Sequence, residues 1–219
     1  MKQIRLWLII LFIAVSSSIV NSLLKNELQT FEVGKFEFGK YDDFDEALAK
    51  GLTYDMNKLI YITRHDGVTI VMYTTIPDPT EFQDVMEFQD VMEFQDDMEF
   101  QNEMEALVVQ FFEGNDEEGW ELLGPRGWTH YENDNFTSYS TFLREYDDAG
   151  NVEHSFNVGF GEVNNPEIDT IETKSHHENT FTEATMIQKG PYRYYFQIGE
   201  DAVVRGISVN GEIVDQQGS

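Results

Sequence analysis

The chain has 219 residues, with 41 Asp and Glu against 14 Lys and Arg and a formal net charge of −27. So acidic a surface repels nucleic acid and anionic membranes, and it suits either solvation in a salty or alkaline medium or attraction of cations. The lack of Cys excludes disulfides, thiolate chemistry and a lipidated cysteine, while 41% hydrophobic and 14% aromatic residues exclude a wholly disordered chain.

Residues 1–22 read as an export signal or membrane anchor: Lys2 and Arg5, the apolar run LWLIILFIAV, then Ser16, Ser17 and Ser18. The uncharged gap between Arg5 and Lys25 is long enough to span a bilayer. Its second half, however, carries four Ser and an Asn, so cleavage is expected. Either way the remainder faces the outside. The expected organisation is an N-terminal α+β region over 23–124, with an insertion at 81–104, and a C-terminal antiparallel β region over 125–219.

FEVGKFEFGKY over 31–41 alternates aromatic and polar residues, as a short strand or tether would. A short helix follows. Asp42, Asp43, Asp45 and Glu46 sit at its positive end, Phe44, Ala47 and Leu48 have helical spacing, and Gly51 stands just past its end. Asp66-Gly67 lies between β-rich runs at 59–64 and 68–75. That pair accepts the positive φ angles of a type I′ turn, so the segment is a predicted hairpin.

The hexad EFQDVM then stands twice unchanged, followed by EFQDDM and EFQNEM, over 81–104. At 100° per residue a six-residue period rotates equivalent positions by about 120°, so Phe82, Phe88 and Phe94 face three ways and no coiled-coil seam results. Helix is favoured locally by Thr80 and Gln83 as a capping box and by Phe82 and Met86 at (i, i+4). A single strand of that length would reach roughly 80 Å, too long for a domain of this size to pair. The expectation is an inserted acidic helix at about 80–104, a tandem expansion within a loop.

Strands are predicted at 106–113 and 120–123 around an acidic turn, and at 137–146 and 152–163 around DDAGN. Asn164-Asn165-Pro166 breaks the chain before a strand at 168–173. In RYYFQIG, Tyr194, Phe196 and Ile198 alternate with Arg193, Tyr195 and Gln197, and Asn210-Gly211 marks a last hairpin. The fold class is therefore mainly β, sandwich-like and built of antiparallel hairpins, with a short N-terminal helix.

Around Gly119-Trp120, in GFGEVNNPEI and in RYYFQIGEDAVVRGISVNGE, the chain resembles a loose group of small exported proteins of spore-forming Gram-positive bacteria. The group shares a signal or anchor, a hairpin, a Gly-Trp strand and a C-terminal strand bundle, and lacks an assigned activity. The resemblance implies an extracellular or membrane-anchored location facing outward. It carries over no functional residue.

No nucleophile elbow and no phosphate-binding glycine loop occurs, so no catalytic residue and no organic cofactor is assigned. His176-His177-Glu178 offers zinc-type ligands, with His130 or His154 as helpers, but neighbouring histidines in a strand point to opposite faces. Calcium would find oxygen donors in two loops, at Asp116 and Glu117 and at Asp147 and Asp148. Both places also need turn residues. Trp120, Trp128, Tyr192, Tyr194 and Tyr195 can stack on sugars or fill a core. Asn135-Phe136-Thr137 matches a glycosylation acceptor and is expected to be an ordinary loop.

The resulting expectation is an exported, non-enzymatic binding or envelope-associated module of unknown ligand, touching the membrane only through its N-terminal segment. Its rival is an envelope hydrolase acting on wall glycans through a carboxylate pair. A third use is capture of cationic peptides by the hexads, since 81–105 holds ten acids and no base.

Overall fold

The computed structural model describes residues 39–77, 105–124, 126–147 and 149–218. The signal and the hexad helix lie outside the described residues, as does most of the segment at 31–41. Helix α1 (Phe44–Lys50) precedes β1 (Lys58–His65), β2 (Val68–Thr75), β3 (Ala106–Asn115) and β4 (Gly119–Leu122). Then come β5 (Tyr139–Tyr146), β6 (Val152–Glu162), β7 (Ile168–Lys174) and β8 (Thr182–Glu183), followed by β9 (Thr185–Lys189), β10 (Tyr192–Ile198), β11 (Val203–Ser208) and β12 (Ile213–Gly218). They form three antiparallel sheets, ordered β1-β2-β3-β4, β5-β6-β10-β9 and β12-β11-β7-β8.

The first two sheets pack face to face. Ile70 and Met72 of β2 with Leu107, Val109 and Phe111 of β3 meet Leu143, Val158, Phe160, Tyr194 and Phe196 across one core. The other face of the first sheet, with Val71, Tyr73, Val108 and Phe112, is covered by α1 through Phe44, Ala47 and Leu48. β2 is thus buried along its whole length, which explains why VTIVMYTT lacks the alternation of a half-exposed strand. The third sheet packs on the far side of the second, where Tyr195 joins Ile168, Ile171 and Val204. The predicted division of RYYFQIG is correct: Tyr194, Phe196 and Ile198 enter one core, and Tyr195 the other.

One fully buried amide in these layers has a partner at each end. Gln110, fully buried, accepts from Thr53 Oγ1 at 2.9 Å and donates from Nε2 to the Gly124 carbonyl at 2.7 Å. An unmatched amide there would cost about 1–3 kcal/mol.

The local elements follow their turn chemistry. Asp66 and Gly67 have φ of 49° and 80°, the two positive angles of a type I′ turn. The last hairpin is right in place but different in geometry. Gly211 alone has positive φ, its N–H donates to Ser208 O, and Ser208 N–H donates to Glu212 O, giving a three-residue loop. β9 was not predicted, although Gly190 (φ 61°) before Pro191 is the signature of a type II′ turn leading into β10.

Helix α1 begins at Asp43, whose carboxylate accepts from the Glu46 N–H at 2.7 Å. Gly51 closes it with ordinary φ of −96°; the requirement for glycine is space, because a Cβ would lie 2.7 Å from both Ala47 O and Tyr41 Cε2. Replacing Asp43 by Ala is expected to cost about 1 kcal/mol, read as a lower urea midpoint with unchanged slope.

Candidate functional sites

Clefts open on the described surface at the β10–β11 connection between sheets and over the hairpin ends of the first sheet. The first holds about 280 Å3 and is lined by Ser140, Phe142, Asn157, His176, Glu200 and Asp201, among others. Ser140 and Phe142 alternate with Tyr139 and Leu143, so they stand on the face of β5 turned away from the shared core. The core of the third sheet meets this face at β9 and β10, through Met186 and Tyr195, and not at Phe142. Phe142 is therefore 65% exposed, beside its cross-strand partner Asn157.

Asp201 belongs to the connection that carries the chain from β10 in the second sheet to β11 in the third. Its carboxylate lies over Gly159 of β6, where a Cβ would come within 2.4 Å of Oδ2. Oδ2 is buried and has no hydrogen-bond partner. Burial pushes the Asp201 carboxyl up to about 6, and the neighbouring charge of Glu200 acts in the same direction. A carboxyl kept partly neutral near pH 6 can donate a hydrogen bond as well as accept one.

The second cleft, of about 320 Å3, lies over the ends of β1–β2 and β3–β4 and is lined by Lys40, Arg64, Gly67, Glu113 and Glu121, among others. At its edge His154, 8% exposed, points Nδ1 at Asp66 Oδ2 at 3.2 Å. Its Nε2 lies 3.5 Å from Glu113 Oε1. Burial pushes this imidazole down, but Asp66 and Glu113 together outweigh it and hold the group above its usual range.

The residues singled out in the sequence are distributed differently. Asp116 accepts from Trp120 Nε1 at 2.7 Å, and Glu117 N–H is held by Asn115 Oδ1 at 2.9 Å, so this acidic loop is a turn that braces a buried tryptophan. Asp147 accepts from the N–H groups of Ala149 and Asn151 at 2.9 and 2.7 Å; the Asn151 side chain above all holds its carboxyl below the usual range. Asp148 lies outside the described residues. His176 and His177 are exposed in the turn after β7, and His176 reaches the first cleft. Among the described residues, the metal-capable atoms brought within 4.8 Å of one another belong to Glu113, Glu153 and His154.

Of the aromatics considered for stacking, Trp120, Tyr194 and Tyr195 are buried, whereas Tyr192 is 54% exposed. Asn135 donates to Asp215 and accepts from Asn165 Nδ2, and Phe136 and Thr137 are buried, so the tripeptide is an internal fastening between loops. Phe142 and Asp201 were not singled out. The exposed-face position of Phe142 is visible in the alternation of β5, but Asp201 carries no such signal.

These features define a layered antiparallel β protein of the sandwich type, with one cleft at a sheet-to-sheet connection and another over the hairpin ends of the first sheet. The chain matches no protein-family model, no curated protein and no solved structure. Among the described residues no helix is long and apolar enough to cross a membrane.

Proposed function

We propose that this protein is an exported, non-enzymatic binding module of the outer envelope of a Gram-positive bacterium, and that its ligand is a wall glycan held in the Phe142 cleft. Export rests on the basic, apolar and serine-rich succession in residues 1–22, and the acidic surface suits a medium outside the cytoplasm. The hexads over 81–104 form, in this reading, an inserted acidic helix tolerated for its solubility.

The observation that carries the glycan reading is Phe142. Its ring is 65% exposed in the middle of a regular strand and is flanked by Ser140, Thr141 and Asn157. An apolar ring bordered by hydroxyl and amide groups matches a sugar ring, which has apolar C–H faces and hydroxyl edges. Asp201 and Glu200 add carboxyls that accept from sugar hydroxyls or amines.

Isothermal titration with soluble wall-glycan fragments should give saturable binding, and Phe142→Ala should weaken it at least about fivefold, because truncating an aromatic anchor typically costs upward of 1 kcal/mol. Binding that ignores the substitution would sink the proposal. A second reading, hydrolysis of the same glycan, is favoured by the neighbouring carboxyls Glu200 and Asp201 and by the raised pKa of the latter. Release of new reducing ends, lost in Asp201→Asn, would move the assignment to the enzyme.

A further inference from the structure

Glu113, Glu153 and His154 come from different sheets and meet at one end of the sandwich. Glu113 is near the end of β3 in the first sheet, and Glu153 and His154 start β6 in the second. Consecutive residues of a regular strand would point to opposite faces. Here the β5–β6 register pairs Glu145 with His154 and Tyr146 with Val152, leaving Glu153 as the extra residue of a β-bulge. A bulge re-aims the side chains beside it, so Glu153 and His154 can reach one point. One ligand atom from each of the three residues lies within 4.8 Å of the others.

The imidazole is oriented from behind. Asp66, fixed in the type I′ turn, takes the Nδ1 side at 3.2 Å. Nε2 is left turned toward Glu113, buried and without a hydrogen-bond partner, on a residue only 8% exposed. A buried ring nitrogen that makes no hydrogen bond and has a carboxylate 3.5 Å away is suited to share a cation with it. A carboxylate behind a histidine is also the usual arrangement that sets the tautomer of a metal ligand.

We propose that Glu113, Glu153 and His154 form a binding site for a divalent transition-metal cation, with Zn2+ the best match, and that Asp66 positions the imidazole. One nitrogen and two carboxylates suit zinc, whereas calcium calls for six to eight oxygens and gains nothing from an imidazole. Three protein ligands leave a position open, and the cleft of about 320 Å3 bordered by Glu113, Arg64 and Gly67 gives that position access to solvent or a ligand. The cation would take the place of a proton on Nε2 and offset part of the negative charge gathered there.

Titration of the full-length chain with Zn2+, kept in a non-ionic detergent, is expected to show one saturable site per molecule that excess Ca2+ does not displace. Glu153→Gln should weaken it at least about tenfold, as loss of a ligand or its support does. Because Glu153 is exposed, its isosteric replacement should leave folding within about 0.5 kcal/mol of the parent. Saturating Zn2+ should raise the melting temperature of the parent more than that of Glu153→Gln, and His154→Ala should abolish the site if it folds. Equal affinity in Glu153→Gln, displacement by Ca2+, or no saturable binding would overturn the proposal and leave a histidine ion-paired among scattered acids.

Discussion

Replacing Gly161 by Ala is expected to destabilise the fold by about 3 kcal/mol, at the upper end of what overpacking costs. Gly161 sits in β6, on the face where Tyr195 and the segment leading into β5 close over it. A Cβ added there would stand 2.0 Å from the Thr137 carbonyl oxygen and 2.8 Å from Tyr195 Cε1. The first obstacle is backbone, and it is tied on both sides. Thr137 N–H donates to Glu162 O at 3.0 Å, and Thr137 Oγ1 hydrogen-bonds the Glu162 carboxyl. Tyr195 is fully buried in the core between the second and third sheets. Relief therefore requires moving a strand rather than turning a side chain. Gly127→Ala, where a Cβ meets nothing within 4 Å, is the control and should be close to neutral. Urea unfolding of both variants measures the difference; a loss below about 1 kcal/mol for Gly161→Ala would mean that the β5 lead-in yields easily.

The protein should be more stable at pH 5 than at pH 8, and Asp201→Asn should remove much of that difference. The Asp201 carboxyl ordinarily titrates near 3.8 and is pushed up to about 6 in the fold, chiefly by burial. Its folded value exceeds its unfolded value, so the fold favours the neutral form. The stability linked to this group is complete below about pH 4 and is lost as pH rises through about 6. The rise from 3.8 to about 6 corresponds to roughly 3 kcal/mol at most, and residual solvent contact reduces it to about 1–2 kcal/mol. Glu162 acts with the same sign, since burial raises its pKa against the opposing hydrogen bond from Thr137. Asn at 201 keeps the shape and carries no charge, so the variant should gain about 1–2 kcal/mol at pH 8 and almost nothing at pH 4. Unfolding at constant ionic strength is the measurement, and a parent protein at least as stable at pH 8 as at pH 5 would refute the argument. Stabilisation by removing a group from a cleft is the trade expected where a polar side chain is kept for binding rather than for folding.

Much of the local structure was legible in the residues themselves. The Asp66-Gly67 turn needs two positive φ angles that few residue pairs accept, and the acids before Ala47 and Leu48 set where α1 starts. Tyr194, Tyr195 and Phe196 alternate because a strand has a period of two. β9 was equally legible, through Gly190-Pro191, and was missed because the Met186 to Lys189 run is half polar and reads as loop. These features depend on neighbours within a few residues, so the order of the chain suffices to specify them.

The functional surfaces did not have that property. Asp201 acquires its raised pKa only because the chain crosses between sheets over Gly159, a strand position 42 residues earlier in sequence. The pairing of Glu153 with His154 on one point contradicts the alternation rule and needs the bulge opposite Glu145 and Tyr146. Glu113 joins them only because two sheets share a core. Sequence by itself determined the acidic charge, the lack of thiol chemistry, the hairpins and the β class, all of which follow from composition or from short-range backbone preference. Tertiary structure decided which aromatics are core and which, like Phe142, are exposed, and which carboxylates face an imidazole or lie buried without a partner. Those are matters of solvent access and of distances across sheets, which no local pattern encodes.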